Sequence, residues 1–326
     1  MRFFKSEAGA VVLWVVASIG LAALISPWLF DLGKDFAAQH AESGGLFGRL
    51  AGSCERAKFS RYFNRSLMLS ALVLFWPLWL RVRMIGRNRA GVPSPASEGL
   101  GWRPGLIQCV AGFALAASLL WLLGTAVVAV GAFVPIEKPV SAAKLLNQAL
   151  FPAIGASIVE EWLFRALLMG LWLRISRPIM ACIGTSIVFA FLHFLEPPHG
   201  VEIADPRAWS SGFELLGWIM RSYLNPQFIA AEFLTLFVVG MTLGWARLRT
   251  GSLWLPIGMH AGWIFAFKSF NMHHVIGDTN VLGSLLVGGT LRAGLLPLAT
   301  LTITWVLIAL AIRRLPGGAS HAESRP

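Results

Sequence analysis

The chain has 326 residues, 56% of them hydrophobic. Only 13% are charged, about half the share of a soluble domain, which excludes an ordinary soluble enzyme. The net charge of +11 belongs to no soluble basic domain, so it speaks against nucleic-acid binding and for loop Lys and Arg that set topology and touch anionic headgroups.

Apolar runs of about 20 residues recur along the chain, and the short alternating segments of a β-barrel are missing. The fold class read from this is all-α, a polytopic membrane protein. Residues 10–30 form the first run. It follows Arg2 and Lys5, exceeds a signal-peptide core in length and ends in Pro-Trp-Leu-Phe, so it reads as a retained first helix. Residues 31–65 are polar and mixed in charge, and residues 67–80 make the second helix. The segment 81–104 is a loop, with Arg81, Arg83, Arg87, Arg89 and Arg103 among Gly, Pro and Ser. Residues 106–133 make the third helix. After the linker Pro135-Ile136-Glu137-Lys138-Pro139 comes the fourth, at 146–173. Arg174 and Arg177 close it, and Pro178 opens the fifth, a residue suited to a first turn.

The fifth helix runs to residue 195. Residues 196–226 are relatively acidic, and 209–224 within them suits an amphipathic interfacial helix. The sixth helix covers 228–245, before Arg247 and Arg249, and the seventh 253–267. A polar connection with His273, His274 and Asp278 follows, then a half-helix near 281–291 and a last helix at 295–312. That makes eight crossings. With both termini cytoplasmic, the basic loops 81–104, 174–178 and 246–251 lie inside, as the positive-inside rule asks. The segment 31–65 disagrees: it falls outside yet carries Lys34, Arg49, Arg56, Lys58, Arg61 and Arg65. No internal repeat of the transporter kind stands out. Cys54, Cys109 and Cys182 are scattered and suggest neither a disulfide framework nor a Cys-rich metal site.

The fourth helix holds Val159-Glu160-Glu161-Trp162-Leu163-Phe164-Arg165. Ionisable residues at bilayer depth are costly and mark function or a structural ion pair. Glu161 and Arg165, four apart, share a helix face and can neutralise each other. Glu160 is turned about 100° away and points elsewhere. Two helical histidines join them: His193, four after Phe189, and His260, in Gly258-Met259-His260-Ala261-Gly262. Between them lies Phe237-Val238-Val239-Gly240, where glycine permits close helix approach. A lone apolar-helix histidine is usually a satisfied hydrogen bond, but two histidines and a carboxylate on three helices can build an inward-facing site. Glu can act as general base toward water, and His can orient that water or donate to an oxyanion. The same Glu160, His193 and His260 could instead bind zinc with an open position. Both routes lead to water attack on a carbonyl.

The ordered set Glu160-Glu161-x-x-x-Arg165, Phe189-x-x-x-His193, Phe237-x-x-Gly240 and His260 resembles the CAAX-processing type II endopeptidases. Their superfamily, the CPBP intramembrane proteases, also covers Abi-type bacteriocin-immunity proteins. The resemblance covers about 145–270. It implies an eight-helix intramembrane endopeptidase that hydrolyses membrane-anchored, in some cases lipidated, proteins. It makes Glu160, His193 and His260 catalytic: Glu160 and His193 activate water and His260 stabilises the oxyanion. It makes Glu161, Arg165, Phe189 and Gly240 supporting residues. It leaves a zinc and a metal-free mechanism both open. The chain then divides into 1–144 with three helices and polar loops, a protease core at 145–270, a C-terminal connection and helix at 271–314, and a disordered tail at 315–326. The implied location is a bacterial inner membrane, and the partners are substrate and lipid bilayer.

One departure is Ile264, where the family pattern has Asn. Asn271 lies eleven residues beyond His260, about 16 Å along a helix, too far to replace it. Either a backbone N–H or Trp263 completes the oxyanion hole or the hole is incomplete, and Pro256 is expected to bend its helix one turn before His260. His199, His273 and His274 read as interfacial loop residues. Two other classes stay open: a catalytically inactive scaffold or immunity protein of the same fold, and a transporter using Glu160 and Glu161 as a proton relay.

Overall fold

The structure, a computed structural model, describes residues 7–86, 101–174, 176–193, 201–222, 226–278, 286–287, 290–292 and 294–311. Its helices are α1 (Glu7–Gln39), α2 (Gly45–Arg56), α3 (Phe59–Gly86), α4 (Trp102–Ala129), α5 (Ala142–Trp172), α6 (Pro178–His193), α7 (Ser211–Ser222), α8 (Pro226–Thr250), α9 (Trp254–His273) and α10 (Leu295–Ala311). Strands β1 (Phe133–Pro135) and β2 (His274–Ile276) pair antiparallel, with Val134 opposite Val275. The all-α expectation holds. Among the described residues four helices are long and apolar enough to cross a bilayer: Gly9–Gln39, Phe59–Leu80, α4 and α5. α6 and α10 are apolar but shorter.

Several boundaries differ from the sequence reading. α1 continues nine residues past Phe30, and the polar stretch 31–65 is itself largely helical, holding α2 and the start of α3. The linker after α4 begins as a strand, pinned by Ile136 N donating to His273 O at 2.7 Å. His273 ends α9 and His274 opens β2, so neither lies in a loop; His274 stacks on Phe270 at 4.3 Å. The amphipathic helix expected within 209–224 is present as α7. His199, the body of the 81–104 loop, most of the 281–291 half-helix and the tail lie outside the described residues.

By contact the chain forms two units: Met1–Ala90 with His193–Pro226, and Gly91–Leu192 with Gln227–Pro326. In the first, α1 and α3 run antiparallel. Trp14 Nε1 donates to Ala71 O at 3.0 Å, so the indole buries its ring without stranding its N–H. Phe30 packs on Phe59 and Tyr62 at the other end. α7 lies against α1, where Gly212 meets the Ala23 carbonyl with no room for a Cβ.

The turn out of α2 is tied to α1. Lys34 Nζ donates to Cys54 O, Glu55 O and Ala57 O, and Tyr62 Oη donates to Cys54 O at 2.9 Å. These carbonyls lie at the C-terminal end of α2, where Cys54 O also accepts from Ala57 N at 3.3 Å, and a cation there meets the negative end of the helix dipole. Lys34→Met is expected to cost about 1 kcal/mol. Thermal unfolding of the purified variant checks this; an unchanged melting temperature would show that water serves the carbonyls equally well.

In the second unit α4 and α9 are the most intimate helix pair. Gly258 and Gly262 of α9 sit directly on the Cys109 and Phe113 carbonyls of α4. Small residues four apart allow this approach. His260 lies two positions from each glycine, about 200° round, so the packing that seats the glycines on α4 turns His260 to the opposite side. Trp121 Nε1 reaches Ser269 Oγ at 3.1 Å further along the same pair. Gly258→Val would drive a branched side chain into backbone that cannot swing aside, at an expected cost of about 3 kcal/mol or more. A melting temperature within a degree of wild type would refute the close packing.

Candidate active site

α5 is not a uniform helix. Leu146–Leu150 and Trp162–Leu168 are π-helical, with hydrogen bonds five residues apart. Such turns are rare and concentrate at functional sites. Glu160 and Glu161 end the α-helical stretch between them, and Arg165 lies inside the second π stretch.

The expected pair is present. Arg165 Nη1 donates to Glu161 Oε1 at 2.9 Å, with both side chains almost fully buried. Arg165 Nη2 also donates to Gly240 O at 3.3 Å. Its guanidinium covers the Phe189 ring at 4.5 Å, a favourable placement for a desolvated cation. Two further contacts of Phe189 are edgewise: Phe164 at 5.1 Å and His260 at 5.8 Å. Phe189 therefore packs on both the arginine and the imidazole.

His260 is bound to the same carboxylate. Its Nδ1 lies 2.8 Å from Glu161 Oε1. An ionised carboxylate only accepts, so Nδ1 carries the proton and donates. This leaves Nε2 turned toward Glu160, 3.8 Å from Oε2. The spacing pattern did not reveal this bond, because Glu161 and His260 are 99 residues apart. Glu161 thus holds Arg165 and His260 through one oxygen. The two carboxylates differ sharply: Glu161 has 0% of its side chain exposed and Glu160 19%.

Gly240 is explained by a second close approach. A Cβ there would lie 2.9 Å from Ser186 Cβ, and one at Gly244 would lie 2.6 Å from Cys182 Sγ. Gly240 and Gly244 face Cys182 and Ser186, each pair four apart, so α8 nests against α6 and brings the Gly240 carbonyl to Arg165. The small-residue spacing on both helices was visible in the sequence and predicts the contact.

The structure therefore gathers Glu160, Glu161, Arg165, Phe189, Gly240 and His260. His193 ends α6, half-buried, one turn beyond Phe189, at the residue where the chain divides into its two units. Pro256 lies in the first turn of α9, where its missing N–H removes no bond, so it frees no carbonyl near His260. Ile264 is half-buried and offers no donor, whereas Trp263 Nε1 is buried with no hydrogen-bond partner among the described residues. Zinc binding would need Glu160, His193 and His260 as ligands. Among the described residues no group of three or more His, Cys, Asp or Glu is placed to hold a metal ion. With Nδ1 committed to Glu161, His260 keeps Nε2 as the nitrogen a metal could take, the arrangement in which a carboxylate orients a ligating imidazole.

Beside the cluster is an apolar cavity of about 530 Å³, lined by Phe113, Leu150, Ile154, Ile158, Ile257 and Ala261 among others. Ala261 directly follows His260, and Ile158 lies three residues before Glu161.

The long apolar helices and this buried carboxylate–arginine–histidine cluster define the class: a helical membrane protein with an ionisable cluster buried among its helices. Residues 142–266, from the start of α5 into α9, match the family model described as Type II CAAX prenyl endopeptidase Rce1-like. This segment is similar to that family of CAAX-type proteases. No curated protein and no solved structure matches the chain.

Proposed function

We propose that the protein is an intramembrane endopeptidase that hydrolyses a peptide bond in a membrane-anchored substrate with Glu160 as general base. The observation that carries this reading is the division of labour in the carboxylate pair. Glu161 is fully buried and engaged by both Arg165 and His260, while Glu160 keeps access and faces the His260 Nε2.

In this reading a water shared by Glu160 and His193 attacks the scissile carbonyl carbon. Its proton passes to Glu160, which returns it to the leaving amine as the C–N bond breaks. His193 enters on the family pattern and on its place one turn beyond Phe189. The oxyanion is met by His260, which in this reading enters the step already as the imidazolium, protonated on both nitrogens before the water attacks. Glu161 holds its Nδ1–H and balances its charge, and Nε2–H donates to the oxyanion. Trp263 Nε1 takes the place of the missing Asn as second donor. The apolar cavity receives an apolar chain of the substrate, a side chain or an attached lipid. The protein is then an integral membrane enzyme with α6, α8, α9 and α10 completing eight crossings.

The test is cleavage of a library of lipidated and membrane-anchored peptides by the purified protein in detergent. Wild type is expected to release product, and His193→Ala to lose roughly 100-fold or more in rate. Trp263→Phe is expected to keep KM while kcat falls by about 100-fold, the loss typical of one oxyanion donor. Undiminished cleavage by His193→Ala would remove that histidine from the reading. A well-folded wild type that cleaves nothing in the library would overturn the protease assignment.

A further inference from the structure

The first unit carries a feature unrelated to catalysis. α2 joins α1 and α3, and both neighbours are long and apolar enough to span a bilayer. Five residues separate Gln39 from Gly45 and two separate Arg56 from Phe59, so α2 is confined to the layer where its neighbours emerge. Its twelve residues are strongly two-sided. Leu46, Phe47, Leu50, Ala51 and Cys54 fall on one side, and Arg49 and Arg56, seven apart, form a stripe about a quarter turn from Leu50.

The protein covers only part of the apolar side. Ala51 is buried, and Phe47 reaches the Phe36 and His40 rings of α1 at 6.4 and 5.6 Å. Leu46 and Leu50 remain 68% and 45% exposed. A helix this short, with two internal glycines, is marginal in water without something to bury its face. The surrounding charge has one sign. Between 49 and 65, Arg49, Arg56, Lys58, Arg61 and Arg65 stand against a single acid, Glu55, and all are exposed. Lys58 approaches Glu202 at 3.9 Å, but both side chains are about four-fifths exposed, so the contact neutralises little. The acids ahead of α2 are Asp31, Asp35 and Glu42, and Asp31 is held by Arg207 at 3.0 Å.

We infer that α2 lies flat in the headgroup layer and, with the first turns of α3, forms a binding surface for anionic phospholipid. Leu46 and Leu50 enter the acyl boundary, and Arg49, Arg56, Arg61 and Arg65 reach lipid phosphates. Lys34 and Tyr62 hold the C-terminal end of α2 in that position. This also accounts for the dense basic charge of 31–65, which topology alone left unexplained: its arginines meet lipid.

Two measurements on the full-length protein test this. In the first, a nitroxide is placed by Leu46→Cys in a chain whose Cys54, Cys109 and Cys182 are replaced by Ala, reconstituted in phosphatidylcholine with phosphatidylglycerol. The label is expected about 5–10 Å below the headgroup surface, more accessible to oxygen than to a water-soluble relaxant. In the second, lipid retained through purification from that mixture is quantified by mass spectrometry. Phosphatidylglycerol is expected to be enriched in wild type, and the enrichment to fall about fivefold for each of Arg49→Gln, Arg56→Gln and Arg61→Gln. Unchanged melting temperatures show that the variants are folded. A label at 46 accessible to the water-soluble relaxant, or an enrichment that all three arginine variants together leave intact, overturns the proposal.

Discussion

Glu160→Gln is expected to lose between about 100-fold and 10,000-fold in hydrolysis rate, the range a positioned general base supplies. It is expected to do so without loss of stability. The substitution keeps size and hydrogen-bonding capacity, and the Glu160 side chain retains 19% exposure, so no buried charge is stranded. Glu161→Gln gives the contrasting result. It removes the acceptor shared by Arg165 and His260, leaves a buried guanidinium facing a neutral amide, and lowers both activity and melting temperature. The comparison separates the two adjacent carboxylates by role. Equal stability losses in the two variants would show that Glu160 is a second structural anchor, and activity surviving in Glu160→Gln would move the general base elsewhere.

Arg165→Met is expected to destabilise the protein by about 3–5 kcal/mol, the usual consequence of removing one partner from a buried ion pair. Arg165 is 1% exposed, and its loss leaves the Glu161 carboxylate in an apolar interior with His260 as its remaining neighbour. The contact with the Gly240 carbonyl and the cover over Phe189 are lost as well. The double variant Glu161→Gln/Arg165→Met is expected to recover part of that loss, because no unpaired charge remains. Thermal unfolding of the two single variants and the double variant forms the cycle. Strict additivity would mean that carboxylate and guanidinium do not interact, against the 2.9 Å geometry.

Much of this was legible in the sequence because the relevant signals are local. Apolar runs located the helices, and the i, i+4 spacing of Glu161 and Arg165 located the ion pair. Pro178 marked the start of α6. What escaped was long-range or depended on partner surfaces. The Glu161–His260 bond joins helices 99 positions apart, and no periodicity encodes it. The β1–β2 ribbon is three residues deep and forms because α4 and α9 end side by side. Pro256 reads as a bend only if its helix starts earlier; the true start at Trp254 puts it in the first turn. The polar stretch 31–65 hid α2 because an interfacial helix is apolar on one side only, and a whole-segment reading averages the two sides.

The π stretch at Trp162–Leu168 has a consequence for phase. Each of its hydrogen bonds spans one residue more than in an α-helix, so everything beyond Leu168 is rotated from where an unbroken α-helix of the same residues would place it. Met169 is fully buried against Ala181 and Cys182 in this rotated setting. Were the stretch to close into an ordinary α-helix with all its residues kept, Met169 would turn off its packing surface while Glu161 kept its place. Deleting one residue as the stretch closes would offset that turn, so a one-residue deletion there is expected to be better tolerated than a one-residue insertion. The second half of α5 is thus fixed by the number of residues between Glu161 and Met169 together with the kind of helix they form.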